Sequence, residues 1–231
     1  MIRTVLWDVD GTLLDFLTAE RAAIRRCFGI FGLGECTDAM LEDYSAINVR
    51  WWERLERGEF SKPEILTGRF REFFSQYGLD VSVVEAFNEE YQIRLGDTVV
   101  FFPGAEEALK TLRGRVLQCA VTNGTRTAQR RKLALSGMDR IFDHIFISDD
   151  LGAEKPGRAF FDRVFETIGP HSRQETLIVG DSLSSDIRGG VDAGIRTCWY
   201  NPWGRENTFG LPIDYEITHL SQVPEIVLSE Q

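Results

Sequence analysis

The chain has no Cys-x-x-Cys pair, no apolar run near the ~20 residues that a membrane span needs, and no surplus of positive charge. Each absence excludes something. The four cysteines, Cys27, Cys36, Cys119 and Cys198, lack a nearby histidine to complete a zinc site, so they read as inert thiols of a reducing cytoplasm. The opening Met1-to-Trp7 run is too short for the core of a signal peptide and meets an aspartate at once, so a cytoplasmic location is expected. Lys and Arg total 26 against 36 Asp and Glu, a net charge of −10, which argues against general nucleic-acid binding. A small anionic substrate stays open, provided a cation and a few basic residues sit locally in the site. Histidine is scarce: His144, His171 and His219 have no triad setting and read as surface or loop residues, and Ser182 has no Gly-x-Ser-x-Gly elbow. Neither an internal repeat nor a low-complexity segment is present.

What is present is alternation. Val5-Leu6-Trp7, Val116 to Val121, Ile145-Phe146-Ile147, Leu177-Ile178-Val179 and Thr197 to Tyr200 are short, continuous apolar runs, the pattern of strands buried on both faces of a parallel sheet. Helical spacing lies between the later ones, over Ala105 to Leu112, Thr127 to Ser136, Arg158 to Ile168 and Ser184 to Ala193. Three of these run into glycine stops at Gly137, Gly169-Pro170 and Gly194. The expected fold is α/β, a Rossmann-like doubly wound parallel sheet. Between the first two strands only helical patterns occur: Thr18 to Phe31, Asp38 to Arg57, Lys62 to Tyr77 and Val81 to Leu95, separated by glycine-bearing turns. This reads as an inserted four-helix cap over residues 16–96, with a core of residues 1–15 and 97–231. From about Pro212 a last short strand and helix are expected.

Asp8 and Asp10 stand two apart at the end of the first run, so both carboxylates can rise above the sheet edge where ligands of open α/β sheets bind. Taken alone, the pair is equally an Asp-Gly turn. Asp181 and Asp186 follow the fourth run and on their own would be helix caps. Carboxylates ~4 Å apart repel by about 4 kcal/mol at an effective dielectric of 20, so gathering them demands a cation; all-oxygen ligation beside a phosphate suits Mg²⁺. Thr122-Asn123-Gly124 ends the second run with a hydroxyl and turn N–H groups able to donate to a phosphoryl group. Lys155 follows the third run and can offset the carboxylates. The basic run Arg126 to Lys132 reads as a solvated helix face.

As an ordered set, Asp8-Val9-Asp10-Gly11-Thr12, Val121-Thr122-Asn123, Lys155-Pro156 and Gly180-Asp181 with Asp186 resemble the haloacid dehalogenase superfamily over nearly the whole chain. The resemblance implies a Rossmann-like core with a mobile helical cap inserted after the first motif. It implies Asp8 as nucleophile and Asp10 as general acid and base. Thr122 and Asn123 would bind phosphate, and Lys155 would steady Asp8 and the transferred charge. Mg²⁺ would be held by Asp8, the Asp10 main-chain carbonyl, Asp181 and Asp186, the last through water or by orienting the site. A second aspartate argues for phosphate esters over haloacids, because an alkoxide needs a proton to leave and a halide does not.

Within the superfamily the helical insert resembles that of pyrimidine 5′-nucleotidases, on Asp43 to Asn48, Trp51-Trp52 and Gly68-Arg69-Phe70. Gly11 departs from that family, which often carries an acidic residue there. Asn48, Trp52 and Arg69 are the candidates for nucleoside contact: an amide for a pyrimidine edge, an indole to stack, a guanidinium for ribose or phosphate. Trp51, Trp52 and Phe70 at helical spacing are equally the interior of the cap. A broad sugar-phosphate or phosphoglycolate phosphatase, a phosphomutase, a non-catalytic phospho-acceptor and an acidic metal-binding scaffold are the alternatives. The expected partner is a small phosphomonoester, with no nucleic acid and no membrane, and the chain is expected to be a monomer or homodimer.

Overall fold

All five apolar runs become strands of one six-stranded parallel sheet in a computed structural model that describes residues 1–169 and 173–229. The chain runs β1 (Thr4–Trp7), then α1 (Phe16–Phe31), α2 (Asp38–Glu56), α3 (Lys62–Gln76) and α4 (Val84–Leu95). It continues with α5 (Ala105–Leu112), β2 (Leu117–Thr122), α6 (Arg126–Ser136), β3 (His144–Ile147), α7 (Ser148–Leu151) and α8 (Arg158–Ile168). Then come β4 (Thr176–Gly180), α9 (Arg188–Ala193), β5 (Arg196–Tyr200), β6 (Tyr215–Ile217) and α10 (Gln222–Ser229). The strand order is β3-β2-β1-β4-β5-β6, so the winding direction reverses beside β1, and the end of that strand opens into the crevice this reversal creates.

Strand alternation divides the sheet's apolar residues between two layers. Val5, Trp7 and Val179 pack with Leu109 and Leu112 of α5 and Val223 and Val227 of α10. Leu6, Val121 and Ile178 pack on the other face with Phe160, Phe161 and Val164 of α8. A third core lies within α1–α4, where Phe28, Tyr44, Phe70, Phe73, Phe74 and Phe87 are buried together. Fully burying such a ring stabilises by about 1.5–3 kcal/mol, and the ring of Tyr44 stacks on Phe70 at 5.0 Å. The helix starts are locally encoded. Asp15 accepts from the Thr18 N–H, Thr37 from the Met40 N–H, and Ser61 with Glu64 forms a capping box.

Two helices begin differently from the sequence expectation. Residues Val81–Val83 form a separate 3₁₀ turn, because the Asp80 carboxylate captures the Ser82 N–H before α4 begins. Residues Leu183–Ile187 form a π turn in which the Asp186 and Ile187 N–H groups both donate to the Ser182 carbonyl, and α9 starts only at Arg188. Such wide turns recur at functional sites, and this one carries Asp186. Of the expected stop after α8, Gly169 is described; Pro170 and His171 lie outside the described residues. No helix among the described residues is long and apolar enough to cross a membrane.

Candidate active site

The C-terminal ends of β1, β2 and β4, the loop after α7 and the π turn converge on one cavity of about 760 Å³, within the size range of small-ligand sites. Its floor carries Asp8, Asp10, Thr122, Lys155, Asp181 and Asp186. Lys155 is buried and its ammonium donates to Asp8 at 2.8 Å, to Asp186 at 2.7 Å and to the Val121 carbonyl at 2.8 Å. The second Asp8 oxygen accepts from the Thr12 hydroxyl at 2.9 Å, and Thr12 Oγ1 accepts from the Asp181 N–H at 3.0 Å. Thr12 thus joins the ends of β1 and β4, a role its place in the first motif did not by itself reveal.

Asp8, Asp181 and Asp186 each bring an oxygen within 4.8 Å of the others. One lysine does not balance three such groups. Burial, then Asp186 and Asp181, push the Asp8 carboxyl well above the usual carboxylate range, with Lys155 pulling it back. Asp181 is pushed up to about 6 by burial and Asp186, although the Arg205 guanidinium beside it acts the other way. An all-oxygen set short of positive charge fits a hard divalent cation such as Mg²⁺. Gly11 has φ +94° and an added Cβ would lie 2.7 Å from an Asp181 oxygen, so a side chain there would push into this cluster.

Asp10 takes no side-chain part in the cluster. Its carboxylate turns toward α6, accepting from Gln129 Nε2 and Lys132 Nζ, both at 2.5 Å. The solvated-face reading of Arg126 to Lys132 is corrected here. Arg126, Arg130 and Arg131 are exposed and pair with Asp150 and Asp97, whereas Lys132 is 1% exposed and points inward. The helix has a solvent face and a site face, and a run of like residues in sequence hides that division. Thr122 is buried at the end of β2, and its hydroxyl oxygen accepts from the Gly124 N–H at 3.1 Å, leaving its own hydrogen to donate. The Asn123 side chain lines the cavity and is also tied to the lysine loop, one Nδ2 hydrogen remaining for a ligand. Its oxygen accepts from the Lys155 N–H and its Nδ2 donates to the Lys155 carbonyl, both at 2.8 Å, so it fixes the lysine loop.

The roof comes from the helical insert. Asn48, Trp52 and Arg69 all line the cavity, together with Glu53, Glu56 and Leu66. Trp51 does not: its Nε1 donates to Glu72 at 2.8 Å and its ring packs near Phe60. Phe70 belongs to the interior of the insert. Asn48 and Arg69 are nearly inaccessible and bonded to each other, Nη1 to Oδ1 at 2.6 Å. A third group, Lys62, ties roof to floor. It opens α3, is buried, and donates to Ser148 Oγ at 2.6 Å, to Asp149 at 2.5 Å and to the Gly124 carbonyl at 3.3 Å. The loop after β5 adds Arg205, whose guanidinium donates to the Asp181 carbonyl at 2.7 Å, and Phe209. Nothing local in the sequence distinguished Lys62, Gln129, Lys132 or Arg205, since each acts only across a tertiary gap.

A parallel sheet with an acidic, lysine-bearing crevice at its strand ends, roofed by an inserted helical unit, defines a capped Rossmann-like protein with a candidate metal-assisted site. A family model for haloacid dehalogenase-like hydrolases matches residues 2–194, and the chain belongs to that family. YfnB of Bacillus subtilis, described as a HAD-hydrolase, is 35% identical over 97% of this chain and 95% of its own. Its magnesium-bound crystal structure, which reveals interdomain movement, superposes with a TM-score of 0.92 over 98% of each chain. The pyrimidine 5′-nucleotidase PynA of Streptococcus pneumoniae is 35% identical over 92% of this chain and 90% of its own. The pyrimidine 5′-nucleotidase YjjG of Escherichia coli is 28% identical over 96% of each.

Proposed function

We propose that this protein hydrolyses phosphate monoesters through an aspartyl-phosphate on Asp8, with pyrimidine nucleoside 5′-monophosphates as preferred substrates. The observation that carries the chemistry is the clustering of Asp8, Asp181 and Asp186 at the cavity floor, with Lys155 bonded to Asp8 and Asp186 and Asp10 held separately. The nucleotide reading draws on the likeness to PynA and YjjG and on Trp52 in the roof.

Asp8, oriented by Thr12 and Lys155, attacks phosphorus, and the bond to the ester oxygen breaks. Asp10 gives its proton to the departing alkoxide, then takes a proton from water as that water attacks the phosphoenzyme. The phosphorus–Asp8 bond breaks, the carboxylate is restored and inorganic phosphate leaves. Gln129 and Lys132 fix the direction in which Asp10 faces. Thr122 donates to a phosphoryl oxygen, and Lys155 stabilises charge on the transferred group. Asp8, Asp181, Asp186 and the Asp10 main-chain carbonyl would hold Mg²⁺, which when bound supplies charge stabilisation to the phosphoryl oxygens. Residues 16–96 act as a cap on the core of residues 1–15 and 97–231, selecting the leaving group and excluding water.

Phosphate release from UMP, dUMP and dTMP, measured with Mg²⁺ beside sugar phosphates and 2-phosphoglycolate, tests this. Nucleotide turnover that is lost with a chelator is expected. Turnover of sugar phosphates or phosphoglycolate without any nucleotide would overturn the substrate assignment.

A further inference from the structure

The roof of the cavity contains a buried polar chain that draws on none of the core motifs. Glu20 of α1 is fully buried, accepting from Ser45 Oγ at 2.5 Å and from Asn48 Nδ2 at 2.8 Å. Asn48 Oδ1 accepts from Arg69 Nη1 at 2.6 Å, and Arg69 Nε donates to the Leu66 carbonyl at 3.3 Å. The Arg69 guanidinium lies 5.0 Å from the Phe70 ring and 5.2 Å from the Tyr91 ring, and the residue is 2% exposed. Asn48 and Arg69 line the cavity, whereas Glu20 sits behind them.

Each side-chain acceptor of the chain is engaged within it. Both Glu20 oxygens and the Asn48 oxygen have donors, and nearby Gln92 accepts from Thr125 and donates to Asn88. An arginine carries five N–H donors and no acceptor, so this chain still offers a ligand guanidinium N–H, in a cavity that Val49, Trp52 and Leu66 also line. A buried guanidinium without a counter-charge would draw an anion strongly, because an unpaired buried charge is costly. Here the counter-charge is already supplied one asparagine away. Glu53 and Glu56 line the same wall and add no welcome for a second negative group.

We propose that Glu20 determines specificity: by neutralising Arg69 through Asn48, it makes the roof a donor for uncharged, carbonyl- or hydroxyl-bearing leaving groups and turns away those that carry a carboxylate or a second phosphate. This rests on the phosphomonoesterase reading above but not on its nucleotide part. A pyrimidine nucleoside meets the requirement; phosphoglycolate does not, since its carboxylate would lose water without gaining an ion pair.

The matched esters glycerol 3-phosphate and 3-phosphoglycerate differ only in a hydroxymethyl against a carboxylate. With Mg²⁺ at pH 8, the protein is expected to favour the neutral ester at least about tenfold in kcat/KM, and Glu20→Gln to bring that ratio within about threefold through a lower KM for 3-phosphoglycerate. Glutamine keeps the shape and can keep both hydrogen bonds while removing the charge. Arg69→Gln is the converse, leaving Glu20 unbalanced, and should raise the ratio at least about threefold. An unchanged ratio in a folded Glu20→Gln overturns the proposal, and so does an unchanged ratio in Arg69→Gln should the first variant not fold. Dissociation constants of the two esters on the Asp8→Asn background give the same ratio without turnover. Equal shifts for both esters there would refute the role of Glu20, whereas absence of hydrolysis of any phosphomonoester by the unsubstituted protein would refute the phosphomonoesterase reading instead.

Discussion

At the floor of the cavity Asp8 and Asp186 share Lys155 while Asp181 beside them meets Arg205; at its roof Glu20 faces Arg69 across an asparagine. Both regions are buried and polar, yet they are balanced differently. At the floor, burial and mutual repulsion push Asp8 and Asp181 up, and the clustered oxygens of Asp8, Asp181 and Asp186 suit a divalent cation. In the roof Arg69 has Glu20 one asparagine away and keeps guanidinium N–H for a ligand, with Glu53 and Glu56 on the same wall. A region of the first kind can hold and transfer charge, while one of the second kind can sort neutral groups by shape and by the acceptors they offer. On the proposed function, the site would divide chemistry and selection between these two regions.

The sharpest way to break the comparison is at the floor. Asp8→Asn keeps the shape and one of the two accepted bonds, from Thr12 or from Lys155, but removes the attacking oxyanion, and turnover is expected to fall on the order of 10³-fold or more. The same asparagine relieves repulsion with Asp186 and Asp181, so the melting temperature should stay or rise. Activity lost together with the fold would mean that Asp8 is structural.

The roof answers to pH instead. Burial pushes the Glu20 carboxyl up to about 7 despite the Ser45, Asn48 and Arg69 groups that favour its charge. The unfolded value lies near 4.5, so between the two the folded state holds a proton that the unfolded chain has lost. Stability is then fully present below pH 4.5 and falls as pH rises through about 7, at a cost approaching about 3 kcal/mol. Glu20→Gln does not titrate, so relative to the unsubstituted protein it should gain stability from pH 5 to pH 8. Parallel denaturation midpoints across that range would show that Glu20 is not held this way.

The two regions were also unequally legible in the sequence. At the floor Asp8, Thr122 and Asp181 sit at the ends of apolar runs and Lys155 follows another, and a parallel sheet must bring such ends to one edge, so the sequence alone gathers them. The insert offered helix spacing and caps, which located α1–α4 to within a few residues, but helical periodicity does not say which polar residues face inward together. Asn48 and Arg69 stood out only by resemblance, and Glu20 not at all, since a glutamate on a helix otherwise rich in charge looks solvated. Lys132 was hidden for the same reason, inside a basic run. The π turn was unreadable because it arises from Asp186 folding back to the Ser182 N–H and to Lys155.

Lys132 tests whether the floor needs its second cation. Its ammonium meets Asp10 and lies 5.2 Å from the Phe16 ring, where the insert begins. Lys132→Met leaves Gln129 as the one side-chain donor to the Asp10 carboxylate among the described residues, and an acid free to turn by an ångström is expected to lower kcat by about 30-fold with KM little changed. Lys132→Arg should recover part of it. A rise in KM with kcat intact would place Lys132 with the roof and not with the chemistry.

The smallest effect is expected where the two regions meet. Lys62 carries the first turn of α3 down to Ser148, Asp149 and the Gly124 carbonyl, in the loop that also presents Thr122. Its ammonium touches nothing that reacts, so Lys62→Met should act on how long the roof stays down. Closure would become less favourable by a fraction of the pair's energy, because Asp149 also accepts from the Arg126 N–H and is not left alone. The expected result is KM raised about threefold with kcat within a factor of two, and protease cleavage faster in the segments flanking residues 16–96. Asp149→Asn should reproduce the change in KM more weakly, since Ser148 and the Gly124 carbonyl still hold the ammonium. If Lys62→Met lowered kcat as strongly as Lys132→Met, the latch would be part of the phosphoryl-binding loop itself, and the separation between a charged floor and a neutral roof would fail at their seam.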